Sequence, residues 1–320
     1  MPEQSAPRPG VVYVDIGADR DGQRLDNFLI GHLKGVPKSR IYRIIRDGQV
    51  RVNRKRAKQG QRLQTGDQVR IPPVRTADRP VAPAVGDALA ERLSRALLYE
   101  DSKLLVYNKP AGLAVHGGSG IQLGLIETLR ALRPQETGLE LVHRLDRDTS
   151  GCIMVARQRP FLRKLQKAMQ QGDMVKTYWL LCDGFRGGSR DIDAPLLKTM
   201  QGSERVVRVS RDGKPSLTRF RLLRRLRHGQ LVEATLETGR THQIRVHAQH
   251  GGFPLMGDPK YGNPRVNDEL RKAGLGRMFL HAHSLSLVHP DTGKKLHIEA
   301  PLDAPFEQAL AWLDREDSDG

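Results

Sequence analysis

The residues of this chain best suited to chemistry fall in three polar clusters. The densest is LVHRLDRDTSG, residues 141–151. Asp146 lies there on a loop between two strand-like runs, beside Arg144 and Arg147. A carboxylate ringed by guanidinium groups suits a catalytic position, since the cations can keep it charged. The same residues suit an ion-paired turn equally well, because Asp148, Thr149 and Ser150 are ordinary turn formers. The second cluster is ETGRTHQIRVHAQHGGFPLMGDPKYG, residues 237–262. Gly239 through Thr241 can break a strand into a helix bearing Arg245. Arg240 and Arg245 could neutralise a carboxylate, hold a phosphate, or form a solvated basic face. The third is Lys176-Thr177-Tyr178 at a strand start, where Tyr178 could stack on a base or fill the core, the commoner fate of a strand tyrosine.

Several chemistries are set aside by what is missing. The chain has no GxxxxGK[ST], no GxGxxG between a strand and a helix, and no HExxH. A P-loop, a dinucleotide site and a zincin-type metal site are therefore not expected. His242, His247 and His250, and the pair His281 and His283, have no carboxylate or cysteine at ligand spacing. His242 and His247 are also five apart, a poor fit to one helical face. The expectation is chemistry with no cofactor and no metal.

The elements that must carry these clusters can be read from the apolar pattern. From Leu97 onward it is mostly β: LLVYNK, LELVH, GCIMVA, KTYWLL, RVVRVS, TRFRLL, LVEATLE, SLSLV and KLHIEA. Helices are predicted at Ile121–Leu132, Pro160–Gln171, His242–His250 and Phe306–Leu313. Many strands with a few helices give an α+β domain on a mixed or mainly antiparallel sheet, over residues 95–316. Ahead of it, residues 76–94 read as a Pro/Ala-rich linker with little hydrophobic periodicity. Residues 12–75 form a separate small domain. In RLDNFLIGHL, Leu25, Phe28, Leu29 and Leu33 make one helical stripe. In KSRIYRIIRDG, Ile41, Ile44 and Ile45 make another, with Ser39 as the expected N-cap and Gly48 as the stop.

That small domain holds most of the charge excess. The whole chain has 53 Lys and Arg against 36 Asp and Glu, a formal +17. Between Lys38 and Arg75 there are twelve basic residues and two Asp, giving +10 in 38 positions. Lys38, Arg40, Arg43 and Arg46 lie on the helix, and Arg51, Arg54, Lys55 and Arg56 on the hairpin that follows. One-signed charge on an ordered amphipathic frame points to a polyanionic partner, nucleic acid or an anionic membrane. No apolar run approaches the ~18 residues of a membrane span, and MPEQSAPRPG has no signal-peptide pattern. A soluble RNA-binding chain is expected. Its two cysteines, Cys152 and Cys182, sit in apolar runs and make no CxxC. They read as core residues of a reduced, cytosolic protein.

These motifs together resemble a known family. RLDNFL, KSRIYRIIRDGQVRVN and GDQVRI are similar to the S4 RNA-binding domain. NKPAGLAVH (108–116), HRLDRDTSG, KTY and GRTHQIRVH, in that order, resemble the RluA-type pseudouridine synthases, and the S4-like front end resembles the subset acting on large-subunit ribosomal RNA. The resemblance runs from about Val12 to Leu313. It implies the mixed-sheet pseudouridine synthase fold with a cleft crossing the sheet, isomerisation of uridine in large-subunit ribosomal RNA, and no cofactor. It also implies roles: Asp146 as the catalytic aspartate, Arg245 as its cationic partner, Tyr178 stacked on the target base, and Arg144 entering the RNA stack that the uridine leaves. Arg240 and the basic residues of the first domain would contact RNA. Leu180 departs from the small residue usual in the family two places after the tyrosine.

Two other readings stay open on the residues alone. The basic module would serve a non-catalytic ribosome-binding or assembly protein equally well, although such a protein has no use for Asp146 in an RNA-facing loop. A His-based nuclease would need the histidines of HQIRVHAQH to converge on a phosphate. The chain is expected to be cytoplasmic from its cysteines, and a monomer, since no coiled-coil heptads argue otherwise.

Overall fold

The computed structural model describes residues 10–33, 35–74, 85–117, 123–202 and 204–316. The chain divides into two compact units, Met1–Val85 with Gln158–Phe161, and Gly86–Arg157 with Leu162–Gly320.

The first unit comprises β1 (Val12–Asp15), α1 (Leu25–His32), α2 (Lys38–Arg46), β2 (Arg51–Val52), β3 (Lys55–Arg56) and β4 (Gln68–Ile71). The strands form an antiparallel sheet in the order β1-β4-β2-β3. Leu25, Phe28 and Leu29 of α1 and Ile41, Ile44 and Ile45 of α2 share one core with Val50, Val52, Val69 and Ile71. The apolar stripes read from the sequence are thus the buried faces. Helix α2 begins two residues earlier than an N-cap at Ser39 implies, and Pro37 is its N-cap. The Pro37 carbonyl accepts the N–H groups of Arg40 and Ile41, and the ring sets the extended entry at no loss of a needed donor. Gly48 ends the helix at φ +71°.

The second unit opens with α3 (Asp87–Arg95), β5 (Leu97–Glu100), β6 (Leu104–Lys109), α4 (Leu125–Leu132), β7 (Glu140–Leu141) and β8 (Ser150–Ala156). Next come α5 (Arg159–Gln171), β9 (Met174–Cys182), β10 (Ser189–Asp193), β11 (Leu196–Gln201) and β12 (Glu204–Val209). It closes with β13 (Leu217–Leu226), β14 (Gly229–Leu236), α6 (Gln243–His250), α7 (Pro264–Lys272), β15 (Leu280–Val288), β16 (Lys295–Glu299) and α8 (Ala304–Leu313). The main sheet runs β10-β13-β14-β9-β15-β8-β6-β5, with β16 on β15 and β7 on β8, while β11 and β12 form a separate hairpin. Every pairing in the main sheet is antiparallel except β8 with β15. This is the α+β, mainly antiparallel architecture expected from the strand pattern.

Two expectations need correction, and one helix was not foreseen. Residues 87–94 are not linker: DALAERLSR is helix α3, although Leu93 is its only fully buried side chain. One buried residue in nine leaves too faint an apolar stripe to read. Residues 76–84 of the expected linker lie outside the described residues. The helix expected from Ile121 starts at Leu125, with Ile121 itself outside the described residues; Glu127 accepts the N–H groups of Gly124 and Gly117 and fixes that start. Helix α7 was not legible, because PRVNDELRK is almost wholly polar and buries only Leu270.

The centre of the sheet is held by a polar lock. Ser150, on β8, accepts from Arg277 Nη2 at 3.0 Å and donates to His281 Nδ1 at 2.9 Å. His281 Nε2 in turn donates to the Ala300 carbonyl at 3.0 Å. Next to Ser150, Gly151 has φ +106°, and a Cβ there would lie 2.3 Å from the Ala282 carbonyl. Only glycine allows β8 and β15 to approach so closely. His281 is fully buried, and that burial pushes its imidazole down to about 4. The unfolded chain, titrating near 6.5, therefore binds more protons than the native one between pH 6.5 and 4, so stability is lost as pH falls through that window. Urea unfolding should show this with a slope approaching about 1.4 kcal/mol per pH unit from this one group. His281→Gln should flatten the pH 4–6.5 profile; an unchanged slope would show that another group titrates.

Candidate active site

The LVHRLDRDTSG loop joins β7 to β8 and is tied down by its own backbone. The Arg147 carbonyl accepts the Gly112 N–H at 2.9 Å and the Lys109 ammonium at 2.9 Å. Lys109 is fully buried and also donates to the carbonyls of Pro110 and Leu113, which matches its three N–H donors to three acceptors. The Thr149 N–H donates to the Asp146 carbonyl, closing the turn. This arrangement turns the Asp146 side chain into a cleft of about 510 Å³.

Across 99 positions of sequence, α6 delivers Arg245 to the same cleft. Its Nη1 donates to Asp146 Oδ2 at 3.0 Å. Its Nε and Nη2 donate to Asp258 Oδ2 and Oδ1 at 2.7 and 2.8 Å, a bidentate fork. Asp258 also accepts the N–H groups of Lys260 and Tyr261. Burial alone would raise the Asp258 carboxyl. The Arg245 hydrogen bonds and charge, with those two N–H groups, outweigh it and hold the carboxyl below its usual range. Burial pulls Arg245 down, and the two carboxylates more than reverse this, so its guanidinium stays firmly charged. Asp146 Oδ1 makes no hydrogen bond among the described residues, so one oxygen is anchored and the other is open to the cleft.

The turn before α6 is equally fixed. Gln243 Oε1 accepts from Thr238 Oγ1 and the Arg240 N–H, while its Nε2 donates to the Leu217 carbonyl and Thr218 Oγ1. His242 precedes the helix in the left-handed region, at φ +55°. That conformation puts its Nε2 3.7 Å from Asp146 Oδ2, beyond hydrogen-bond length. Its Nδ1 meets the Tyr261 hydroxyl at 2.9 Å, and that hydroxyl already accepts the Val207 N–H. The phenolic hydrogen is then free to donate to Nδ1. On that network the His242 proton is assigned to Nε2, facing Asp146. Burial lowers the His242 pKa despite Asp146, with Arg245 and Lys260 also opposing its protonation.

Of the four residues assigned a role at the reaction centre, the structure brings Asp146, Tyr178 and Arg245 to the cleft, with Arg144 exposed at its edge. Tyr178 is buried in β9, and burial and the Asp146 charge push its phenol above the ordinary range. Arg240 lines the same cleft, is exposed, and donates weakly to the Pro215 carbonyl. In the first unit Lys38, Arg40, Arg43, Arg46, Arg51, Arg54, Lys55 and Arg56 are all exposed, and none has an ion-pair partner among the described residues. Arg51 and Arg56 do donate to the backbone carbonyls of Arg54 and Arg46. Reading the sequence missed Lys109, His242, Asp258 and Tyr261 as parts of the site. All four lie within the quoted motifs, but only their contacts separate them from turn or core residues. The histidines do not converge: His247 is buried on Thr218 and the Ala194 carbonyl, whereas His242 faces Asp146. Among the described residues no group of three His, Cys, Asp or Glu side chains could hold a metal.

Comparison with known proteins decides the family. The RNA pseudouridylate synthase family model matches residues 103–250, and the S4 domain model residues 23–69. The chain is 51% identical over 312 residues to the ribosomal large subunit pseudouridine synthase C of Escherichia coli K12, covering 95% of this chain and 97% of that protein. It is 52% identical over 309 residues to the protein of the same name from Yersinia pestis, covering 95% and 96%. The chain belongs to the RNA pseudouridylate synthase family. Its fold is also similar to human RNA pseudouridylate synthase domain containing 4, at a TM-score of 0.59 and 29% identity over 71% of this chain and 95% of that one. The family match spans β8, β9 and α6, the elements around the cleft that Asp146, Tyr178 and Arg245 line. The S4 match falls on the unit that carries α2 and its basic residues.

The Arg245 fork has a measurable consequence. Arg245→Lys keeps the charge but can no longer reach both carboxylates in a planar fork, and should slow single-turnover isomerisation by about 10²-fold with RNA affinity nearly unchanged. Asp258→Ala should cost about 3–5 kcal/mol in urea unfolding, because it strands a buried guanidinium. A lysine variant of full rate would reduce the fork to packing.

Proposed function

We propose that this RNA pseudouridine synthase isomerises particular uridines of large-subunit ribosomal RNA, as a cytoplasmic monomer, with Asp146 as its catalytic carboxylate. The names of its relatives and its S4 domain support the RNA class. No helix among the described residues is long and apolar enough to cross a membrane. The reaction breaks the N1–C1′ bond of uridine, turns the base, and joins C5 to C1′. Atoms and electrons balance within the nucleotide, so no group donor or oxidant enters.

The observation that carries the assignment is the divided state of Asp146: Oδ2 is anchored on Arg245 and Oδ1 is open in the cleft. The free oxygen can attack the sugar or the base, or manage the proton the sugar loses. Tyr178, in the cleft wall, offers its ring face to the flipped base. Arg144, exposed at the rim, is placed to fill the gap the uridine leaves, recovering part of the few kcal/mol that flipping costs. Lys38, Arg40, Arg43, Arg46, Arg51, Arg54, Lys55, Arg56 and Arg240 contact phosphates. A pure binding protein would gain nothing from a buried arginine devoted to an acidic group in a basic RNA-facing loop.

Asp146→Asn should bind ribosomal RNA at least as tightly as the parent, since it removes a negative charge. Its release of tritium from C5-labelled uridine should fall by at least about 10²–10⁴-fold; normal turnover would make Asp146 a turn residue. A triple Arg40→Glu, Arg43→Glu, Arg46→Glu variant should instead weaken binding and lower the log–log salt slope by about 0.7 for each lost contact, with the rate at saturating RNA preserved. Size-exclusion chromatography with light scattering should give one chain per particle.

A further inference from the structure

The catalytic loop has a second side. His143, Arg144, Leu145, Asp146 and Thr149 line the cleft, but Arg147 and Asp148 line a different cavity, of about 490 Å³. Its walls come from elements that contribute nothing to the cleft: Arg92 from α3, Arg271 from α7, and Arg277 and Asp303 from the segments before β15 and α8. Four arginines thus face two carboxylates. Both carboxylates are already engaged, Asp303 by Arg277 and Asp148 by Arg147 Nε at 3.1 Å. Arg277 is further fixed by donating to Ser150 Oγ and to the Met278 carbonyl, so it forms a rigid cationic wall. Arg271 leans on Asp268, an exposed ion pair within α7. Arg92 is exposed and makes no hydrogen bond or ion pair among the described residues.

The positive charge here is felt by its neighbours. Lys109, behind the loop, is pushed down to about 7, first by burial and then by Arg277 and Arg92, against the pull of Asp148 and Asp146. Arg277 is lowered as well, by burial with a contribution from Arg92, even though Asp303 opposes it. An arriving anion would relieve both. Guanidinium groups from separate elements around one concave space are the arrangement that recognises phosphate oxygens from several directions. The volume falls within the ~300–1,000 Å³ of ordinary ligand sites, enough for a phosphate with its attached sugar.

We propose that this cavity is a phosphate site, holding a backbone phosphodiester of the RNA on the side of the catalytic loop away from the flipped uridine. Arg92, Arg147 and Arg271 contact its oxygens and Arg277 forms the fixed wall. The proposal rests on the reading of the chain as an enzyme acting on RNA. It gives α3 and α7 a task, since each places one arginine beside the loop that carries Asp146.

The test is a full-length Arg92→Glu, Arg271→Glu variant beside a charge-matched control, Arg95→Glu, Lys272→Glu, which alters the same two helices outside the cavity. The cavity variant should lose at least about tenfold in affinity for ribosomal RNA relative to the control, and its log–log salt slope should fall by about 1.4, two contacts at about 0.7 each. Its single-turnover rate at saturating RNA should stay within about threefold of the parent, because the cleft is untouched. Arg92→Gln alone, at an exposed helix position, should show about half the change in slope and covers the case of a double variant that does not fold. Cavity and control variants that bind alike would overturn the site while leaving the enzyme reading intact; a parent protein inert on RNA would overturn that reading instead. Inorganic phosphate or pyrophosphate supplies the other arm. If either raises the thermal midpoint of the parent but not of the cavity variant, while RNA affinity is equal in both, the cavity serves a free phosphate anion and the RNA assignment fails.

Discussion

A single guanidinium organises the catalytic half of this protein. Arg245 is buried, and a buried cation survives only if its N–H groups and its charge are both met. Asp258 meets two of the donors in a planar fork, which leaves Nη1 directed at Asp146. The orientation of the Asp146–Arg245 contact is thus set from behind, by a residue with no access to the cleft. Lysine could supply the charge but not the division of labour, because its ammonium has no rigid plane to aim. The ring of Tyr261 lies 5.0 Å from the same guanidinium, adding a favourable face contact.

The rest of the fold can be understood as what is needed to bring those two partners together. Asp146 precedes β8, and Arg245 follows β14 by way of α6, so the strands between them must be in register for the pair to form. Strand β9 pairs with β14 on one side and β15 on the other, and β15 pairs in parallel with β8. The close approach at Gly151 and the Ser150–His281 contact lock that parallel join at the first two residues after the loop that carries Asp146. On the other side of the loop, Lys109 gathers three carbonyls. The stretch just after Asp146 is therefore held at Arg147 and again at Ser150 and Gly151, and these contacts help to fix the position of Asp146.

Much of this was legible in the sequence, and the reason lies in periodicity. The strands of the second unit are apolar enough to show themselves, and Ile41, Ile44 and Ile45 betray α2 by their spacing. Asp146, Arg245 and Tyr178 were singled out because the motifs around them resemble a family; spacing alone left Asp146 balanced between catalysis and a turn. Asp258 was invisible in the same stretch. In MGDPKYG it looks like a surface turn, and only a contact thirteen residues back along the chain shows it to be fully buried. Helices α3 and α7 escaped notice for the opposite reason: each buries one leucine, so nothing repeats. His242 could not be read at all, since its place facing Asp146 depends on a left-handed backbone that histidine adopts only when its surroundings enforce it.

The two populations of arginine in this chain follow from what each must do. Those of α2 and the hairpin after it are exposed and unpaired with acids, so their charge acts through water, over a Debye length of about 8–10 Å, on any phosphate that comes near. Such groups attract a polyanion without specifying where a given atom sits. Arg245 is the reverse: shielded from solvent, held by three hydrogen bonds to two carboxylates, and too encumbered to attract anything. A net charge of +17 would draw phosphate to every exposed cation, including any near the reaction centre. Burying Arg245 between two carboxylates keeps it from being captured by the RNA backbone, so that the charge beside Asp146 remains available to Asp146. An exposed excess of positive charge and a buried ion pair on a carboxylate are thus compatible in one chain because they are kept in different dielectric environments.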